Sequence, residues 1–305
     1  MKRLHLIDAH GFCYRAFFSL PEMHSPDGTA VNAVYGFCRT ALALRQRLAA
    51  DGNADYIAAI FDAPRGRGAL VRRQMDPAYK AHRPPAKPAL AGQFALVREA
   101  ADVLGLNPLD APEGHEADDL IASYTASALD CGIDVEIISS DKDLMQLIRP
   151  RADGHLADAR EAECAMYDPL KSTTIGREDV LAKFGVEPPQ ILDVLAIAGD
   201  AADGVPGVPG IGLKGAAALV RRYGSLERAI AEVDSISMPR LSALLLAGYA
   251  DQARRARELI ALRCDLSLPR RIEELAFAPP DAARMAELFK RHGFRSLIPA
   301  PEVAA

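Results

Sequence analysis

The chain has few of the features that mark exported, membrane-bound or disulfide-stabilised proteins. No apolar run among its 305 residues approaches the ~20 residues of a membrane-spanning helix. The N-terminal MKRLHLIDAH reaches an acidic residue at once, as a first strand does and a signal peptide does not. The five cysteines are odd in number, widely spaced and without a CxxC pair, which indicates a reducing compartment. We therefore expect a cytoplasmic protein with no membrane partner.

Common catalytic signatures are also missing. The sequence contains no P-loop, no GxGxxG fingerprint and no Ser–His–Asp or Cys–His arrangement. Apolar residues make up 50% of the chain and charged residues 25%, a composition that favours a folded core over disorder. The length permits one large domain or two ordinary ones.

Nine acidic residues stand out because most follow an apolar strand-like run or begin a helix-like run. Carboxylates that converge in one place repel and raise each other's pKa. Divalent cations such as Mg²⁺ take oxygen ligands and relieve this repulsion. The pattern therefore predicts a carboxylate-lined metal site and phosphate chemistry. The nine residues are Asp8, Asp62, Glu116, Asp118, Asp119, Asp141, Asp143, Asp200 and Asp203.

Ordinary structural roles are the alternative for some of these acids. Residues 116–119 begin a helix-like run, where acids complement the helix dipole, and Asp141 is a good helix cap. Asp200 and Asp203 instead follow the apolar helix-like run ILDVLAIAG, at the end that disfavours acids. A structural role explains these last two less well.

The charge distribution points to a polyanion as partner. The net charge is −5, but without the nine acids the remainder of the chain carries +4, since −5 + 9 = +4. A local basic stretch is an electrostatic footprint for nucleic acid, although a solvated charged face is the alternative. Between residues 65 and 98 only Asp76 opposes the basic residues Arg65, Arg67, Arg72, Arg73, Lys80, Arg83 and Lys87.

The periodicity predicts an α/β fold with a central, mostly parallel sheet and helices on both faces. Compact apolar runs at 4–7, 56–61 and 135–139 alternate with longer amphipathic segments. In such sheets the ligand crevice lies at the carboxyl ends of the strands. Residues 62–90 contain several glycines and prolines, and this pattern predicts a long functional loop over that crevice. From about 176 to 265 the chain looks helical, with an interruption at 204–212.

Two short strings suggest a grip on nucleic acid. GVPGIGLK at 207–214 precedes a helix-like run, and this pattern predicts a helix–hairpin–helix whose Gly207, Gly210, Gly212 and Lys214 contact a DNA backbone. An ordinary glycine-rich turn is the alternative. YKAHR at 79–83 joins an aromatic ring to cations, as single-strand grips do, or is a solvated loop.

These strings together resemble the 5′-nuclease family, which comprises the 5′→3′ exonuclease domain of bacterial DNA polymerase I and the flap endonucleases. The resemblance runs from residue 3 to about residue 297. The string MAELFKRHGFRSLI resembles the segment that leads into the next polymerase domain, so a stand-alone nuclease and a polymerase fragment both fit. The matching strings are LIDAHGFCYRAFFSLP at 6–21, FDA at 61–63, YKAHRPP at 79–85, GHEADD at 114–119, SSDKD at 139–143 and GDAADGVPGVPGIGLKGAA at 199–217.

The resemblance implies roles for particular residues. Lys80 and Arg83 match the basic pair of a helical arch that contacts the scissile phosphate, and Arg72 and Tyr79 match DNA-binding arch residues. The hairpin at 207–214 matches the duplex-binding motif, where a monovalent cation such as K⁺ helps to hold phosphate. Two or more Mg²⁺ ions, with Mn²⁺ as a substitute, would be held by two groups of acids. The first group is Asp8, Asp62, Glu116 and Asp118, with Asp119 as a further candidate, and the second is Asp141, Asp143, Asp200 and Asp203.

The chain departs from the family pattern without losing an acid of the metal groups. Ala9-His10 replaces a glycine and a small hydroxyl residue, Gly204 replaces an asparagine, and Val71 replaces a phenylalanine. His10 and His115 adjoin the acids, but no HxxxH or HxH spacing supports imidazole ligation, and an all-oxygen site suits Mg²⁺.

The resemblance implies a PIN-like catalytic domain at 1–175 with the arch at about 63–93, a helical DNA-binding region at 176–297 and a tail at 298–305. The expected function is a metal-dependent 5′→3′ exonuclease and flap endonuclease that acts on DNA and RNA primers in replication and repair. Its expected partners are 5′ flaps, nicked or gapped duplexes and primer junctions, and we expect a monomer. The alternatives are a non-catalytic flap-binding protein and a PIN-like ribonuclease.

Overall fold

The computed structural model describes residues 1–52, 54–64, 70–151, 161–232 and 249–298. Two of the predicted basic residues, Arg65 and Arg67, lie outside the described residues, as does the predicted tail from residue 299 onwards. The predicted metal ligands, the remainder of the arch and the hairpin lie within them.

Six strands form a central sheet in the N-terminal part of the chain. They are β1 (Arg3–Asp8), β2 (Tyr56–Phe61), β3 (Pro108–Asp110), β4 (Asp134–Ile138), β5 (Cys164–Asp168) and β6 (Thr173–Ile175). Their order across the sheet is β3-β2-β1-β4-β5-β6. All neighbours pair in parallel except β6, which pairs antiparallel with β5. The prediction of a mostly parallel sheet is confirmed.

Helices cover the sheet and form most of the C-terminal part. Those in the described ranges are α1 (Ala9–Ser19), α2 (Asn32–Asp51), α3 (Val71–Met75), α4 (Pro88–Ala91), α5 (Gln93–Val103), α6 (Ala117–Asp130), α7 (Arg177–Phe184), α8 (Ile191–Ala198), α9 (Leu213–Tyr223), α10 (Leu226–Ala231), α11 (Ala250–Ile260) and α12 (Ala282–His292). Short 3₁₀ turns lie at Asp143–Leu147, Pro188–Gln190, Ile272–Leu275 and Arg295–Leu297. None of the helices in the described ranges is both long and apolar enough to span a membrane.

Alternating side chains of the strands pack in two hydrophobic cores, one on each face of the sheet. Leu4 and Leu6 of β1 pack in the core that contains Tyr124 of α6. Ile7 of β1 packs in the core that contains Phe37 of α2. Because successive strand residues point to opposite faces, one strand stabilises both layers. Helices therefore cover both faces, as predicted.

The order of the strands creates a crevice at the centre of the sheet. The chain runs from β1 outwards to β2 and β3, and then crosses to β4 on the other side of β1. Such a reversal leaves an opening at the carboxyl ends of the two central strands. Asp8 is the last residue of β1, Asp62 directly follows β2, and Asp141 follows β4 by three residues. The fold therefore brings these three acids to the same edge.

A close backbone contact shapes the turn after α8. There the short hairpin of β7 (Gly199–Asp200) and β8 (Val205–Pro206) leads into α9. A Cβ at Gly207 would lie 2.2 Å from the Ala198 carbonyl, and one at Gly199 would lie 2.3 Å from the Gly207 nitrogen. Only glycine fits at this crossing, where Gly199 also has a φ of +82°.

The C-terminal end of the described chain returns to the sheet. Leu288 and Phe289 of α12 and the following Phe294 are buried in the same core as Phe37 of α2. Helix α12 therefore packs in the same layer as α2, on one face of the sheet, although it follows the helical region in sequence.

Candidate active site

Asp8 lies at the bottom of the crevice and joins β1 to β4. Its carboxylate caps α1 by accepting the Gly11 N–H at 2.8 Å, and it accepts the Ser139 hydroxyl at 2.9 Å. Burial and the nearby Asp141 raise the pKa of Asp8, while these two hydrogen bonds lower it, and the net direction is upward. Ser139 also accepts the Asp141 N–H at 3.0 Å, so one hydroxyl links the two acids.

Glu116 and Asp118 enter the crevice from the first turn of α6. Burial, Asp8 and Asp141 raise the pKa of Asp118 well above its ordinary value, and Lys80 only partly offsets them. Asp62 accepts the N–H of Ala117, the first residue of α6, at 2.8 Å. Acids from the end of β2 and from the first turn of α6 therefore lie at the N-terminus of this helix, where the dipole favours negative charge.

Asp119 is fully buried and is paired with Arg72 instead of facing the crevice. The two carboxylate oxygens accept Nη1 and Nη2 of Arg72, both at 2.6 Å, and one also accepts the Arg263 N–H at 3.0 Å. Burial raises the pKa of Asp119, but the guanidinium outweighs burial and holds the pKa below its ordinary value. Other N–H groups of Arg72 donate to the Leu259 and Ala261 carbonyls and, at 3.3 Å, to Glu116 Oε2.

This pairing brings two of the predicted site residues against each other. Arg72 was expected to contact DNA, but it is buried and its guanidinium joins α3 to α6 and α11. Asp119 was a further candidate for the first metal group, but its oxygens are taken by the guanidinium. Arg72 and Asp119 thus form a buried ion pair that joins these elements.

The second acidic group gathers around Lys142. Its Nζ lies 2.9 Å from Asp200 Oδ2, and the other oxygen of Asp200 accepts the Ala202 N–H at 2.9 Å. Asp141 accepts the Asp143 N–H at 3.0 Å. Burial, together with Asp141 and Asp200, raises the pKa of Asp143 to about 7. Oδ1 of Asp143 is buried without a hydrogen-bond partner.

Tyr79, Lys80 and Arg83 connect the two acidic groups. Lys80 Nζ lies 2.5 Å from Glu116 and 3.5 Å from Asp203, and Arg83 Nη2 lies 2.5 Å from Asp203. The Tyr79 hydroxyl lies 2.8 Å from Glu116 and 3.0 Å from Asp203, so its single proton is shared between them. Burial lowers the pKa of Lys80, but Glu116 and Asp203 outweigh it and raise the pKa.

Cations occupy many of the carboxylate oxygens at this site. In the part of the chain that the structure describes, no three His, Cys, Asp or Glu side chains are arranged to hold one metal ion. Lys80, Arg83 and Lys142 take the positions beside Glu116, Asp203 and Asp200 instead. The carboxylates are thus gathered in one crevice, with basic side chains between them.

The predicted hairpin presents a helix N-terminus to solvent. Gly212 precedes α9 without a side-chain cap, and no atom lies within 4 Å of the position of a Cβ there. Gly210 has a φ of +84°, which favours glycine, and Lys214 is exposed in the first turn of α9. The free N–H groups and the lysine are suited to an anion, and Gly207 serves the backbone crossing described above.

Family models match most of the chain. Residues 3–185 match the model described as 5′-3′ exonuclease, N-terminal resolvase-like domain, and residues 186–283 match the model described as 5′-3′ exonuclease, C-terminal SAM fold. This chain belongs to the 5′-3′ exonuclease family. The predicted resemblance is confirmed, and with it the assignment to a family of hydrolytic nucleases.

The curated relatives include a protein of about the same length as this chain and DNA polymerases that are much longer. The 5′-3′ exonuclease of Aquifex aeolicus (strain VF5) is 31% identical over 98% of this chain and 94% of that protein. DNA polymerase I of Rhizobium leguminosarum is 37% identical over 96% of this chain but only 28% of its own length. The chain thus spans about a third or less of the DNA polymerases that it matches.

Solved structures share the fold. T5 5′-exonuclease with bound zinc has a TM-score of 0.66 at 20% identity, over 86% of this chain and 90% of that chain. The T5 D15 flap endonuclease, in a complex with DNA and metal ions, has a TM-score of 0.64 at the same identity and coverage.

Two residues of the site carried a signal that the sequence analysis left unused. Lys142 stands between Asp141 and Asp143, and a lysine between acids is a candidate for pairing with a third one. Ser139 ends an apolar strand-like run just before the same acids, and this position predicts that its hydroxyl faces the crevice.

Proposed function

We propose that the chain is a metal-dependent 5′→3′ exonuclease and flap endonuclease that hydrolyses phosphodiester bonds near the 5′ end of DNA and of RNA primers. The main support for this proposal is the position of two residues of the basic segment. Lys80 and Tyr79 stand between Glu116, from the α/β part, and Asp203, from the helical region. The acids of both parts therefore meet below the same basic segment, where a phosphodiester would lie.

The chemistry of two groups of carboxylates suits divalent cations, once the basic side chains between them move to the phosphate. The donors are all oxygens, as Mg²⁺ and Mn²⁺ prefer, and the raised pKa values of Asp118 and Asp143 report crowding that a cation relieves. Oδ1 of Asp143 accepts no hydrogen bond and has only the Lys142 ammonium at 3.9 Å beside it, so it is a candidate ligand atom. What such ions supply is activation of a water molecule and neutralisation of the leaving oxygen. The residues that would hold them are Asp8, Asp62, Glu116 and Asp118 in the first group and Asp141, Asp143, Asp200 and Asp203 in the second.

The protein's own cations orient the phosphate. Lys80 and Arg83 would move from their carboxylate partners to the phosphate oxygens, where they stabilise the charge that develops during hydrolysis. Tyr79, whose ring lies 4.9 Å from Lys80 Nζ, holds this lysine over the acids. Asp119 and Arg72 keep α3 in place below it.

The hairpin would fix the duplex beside the site. Gly210, Gly212 and Lys214 would contact the DNA backbone through N–H groups and charge, with a K⁺ ion as an aid, while Gly207 supports the turn. The substrates of this proposal are 5′ flaps, nicked or gapped duplexes and primer junctions, met in replication and repair in the bacterial cytoplasm. We propose a monomer with a catalytic domain at 1–175 and a DNA-binding region at 176–297.

Cleavage of a 5′-labelled flap duplex tests the proposal. We expect short 5′ products in Mg²⁺, none in EDTA, and none with Asp143→Ala, while that variant still binds the flap. Asp130→Ala, which removes an exposed acid at the end of α6, is the matched control and should cleave normally. Full activity of Asp143→Ala would overturn the metal assignment. Tight binding without cleavage in Mg²⁺ and Mn²⁺ would favour a flap-binding protein, and a preference for single-stranded RNA would favour a ribonuclease.

A further inference from the structure

His10 contacts Asp62 through both of its ring nitrogens. The Asp62 N–H donates to Nδ1 at 3.1 Å, and Nε2 lies 3.7 Å from Asp62 Oδ2. Because Nδ1 accepts a hydrogen bond, the proton of the neutral imidazole must lie on Nε2. That N–H therefore faces the carboxylate of the same residue whose backbone the ring already holds.

Aromatic neighbours hold the imidazole in this position. Phe94 of α5 stacks on the ring at a centroid distance of 4.6 Å and an interplanar angle of 25°. Phe61 meets it edge-on at 6.1 Å, and Tyr14 lies at 6.4 Å. Tilting the ring away from Asp62 would break the stacked contact, and a flip about Cβ–Cγ would break the hydrogen bond from the Asp62 N–H. It is thus a fixed group at the edge of the crevice.

Asp62 needs such support more than its neighbours do. Its side chain is 44% exposed, against 13% for Glu116. Ala117 N–H holds Oδ1 at 2.8 Å, which leaves Oδ2 to be oriented from the other side. His10 occupies that side. The carboxylate is therefore held between the N-terminus of α6 and the imidazole.

We propose that His10 is a positioning residue that orients Asp62 as a ligand of the divalent cation. It acts through Asp62 and does not itself bind the ion, because its Nδ1 lone pair is taken by the Asp62 N–H and its Nε2 carries the proton. Partners of this kind set the direction and basicity of a ligand, and their loss typically costs roughly 10–100-fold in metal affinity. The inference rests on the proposed function, since it requires a cation at the first acidic group.

Calorimetric titration with Mn²⁺, without DNA, tests the role independently of cleavage. His10→Phe keeps a ring against Phe94 and removes both nitrogens, and we expect it to weaken Mn²⁺ binding about 10-fold or more. His10→Asn keeps an acceptor for the Asp62 N–H, and we expect it to recover part of the affinity. A His10→Phe variant that folds and binds Mn²⁺ as tightly as the natural chain would overturn the proposal.

A double-mutant cycle separates this role from general disruption. If His10 acts through Asp62, then His10→Phe should cause no further loss of Mn²⁺ affinity in an Asp62→Asn background. An equal loss in both backgrounds would overturn the proposal. If Asp62→Asn alone leaves Mn²⁺ binding unchanged, the proposed metal site itself is wrong. If Asp62→Asn weakens binding and neither His10 variant does, the metal site stands and the role of His10 is wrong.

Discussion

Lys80 shows at the residue scale how tightly the basic segment is tied to the acids. The side chain is only 9% exposed and the backbone has a φ of +52°, a conformation that is uncommon for residues other than glycine. Its N–H donates to the Asp203 carbonyl at 2.7 Å, so the strained conformation is held by the same residue that attracts the ammonium group. Such strain persists only where the surroundings fix it, and it clusters at functional sites.

Lys80→Ala is expected to slow the chemical step far more than it weakens binding. Removing one preorganised donor to a developing negative charge typically costs about 10²–10³-fold in rate. Single-turnover cleavage of a flap duplex, with binding measured separately in Ca²⁺, checks this. Lys87→Ala removes an exposed lysine from the same segment and is the control, with a near-normal chemical step. An unchanged single-turnover rate for Lys80→Ala would refute the role.

At the scale of elements, one ion pair joins three helices. Arg72 reaches from α3 to Asp119 of α6 and to the carbonyl groups of Leu259 and Ala261 at the end of α11. Asp119 also accepts the Arg263 N–H. The base of the arch is therefore attached to both the catalytic layer and the helical region, and the acids that α6 carries are held in register with it.

Arg72→Ala should destabilise the fold by about 3–5 kcal/mol, because it leaves the buried Asp119 charge without a partner. Urea unfolding measures the change. Arg98→Ala breaks a partly exposed pair with Asp110 and should cost at most about 1 kcal/mol. Equal effects of the two variants would show that the Arg72 pair is not a structural link. A large loss of DNA affinity in Arg72→Ala at unchanged stability would instead support the prediction that Arg72 contacts DNA.

The sequence predicted β1, β2 and β4, because short apolar runs such as YIAAIF have no helical period, but it did not predict β3, β5 and β6. The acids at the strand ends followed from the sheet, since parallel strands present their carboxyl ends at the same edge. The partners of Arg72 did not follow, because a basic residue in a glycine- and proline-rich stretch looks the same whether it contacts DNA or Asp119. Nor did the return of α12, because an amphipathic helix does not specify which core it covers.

At the scale of the whole molecule, the crevice concentrates negative charge that the fold must tolerate. The nine acids account for more than the net charge of −5, and the cations Lys80, Arg83 and Lys142 offset only part of it locally. The raised pKa values of Asp118 and Asp143 reflect burial and the negative charge that these cations leave uncompensated. Stability without divalent ions should therefore depend on pH.

Asp143 gives this dependence a direction. Burial, Asp141 and Asp200 raise its pKa from 3.8 to about 7, so its contribution to stability is fully present below the unfolded value and is lost as pH rises through the folded one. In EDTA, the natural chain should lose up to about 4 kcal/mol relative to Asp143→Asn between about pH 4 and about pH 8. Glu136, whose pKa is lowered from 4.5 to about 2, acts below this window.

Urea unfolding of both proteins across this range checks the slope. Added Mg²⁺ should remove most of the difference, because the ion binds the deprotonated carboxylates of the folded state and stabilises it by mass action. Curves that stay parallel in EDTA would show that Asp143 ionises in the folded chain without cost, and the crowding argument for a metal site would then fail. A slope that persists unchanged in saturating Mg²⁺ would place the ion away from Asp143.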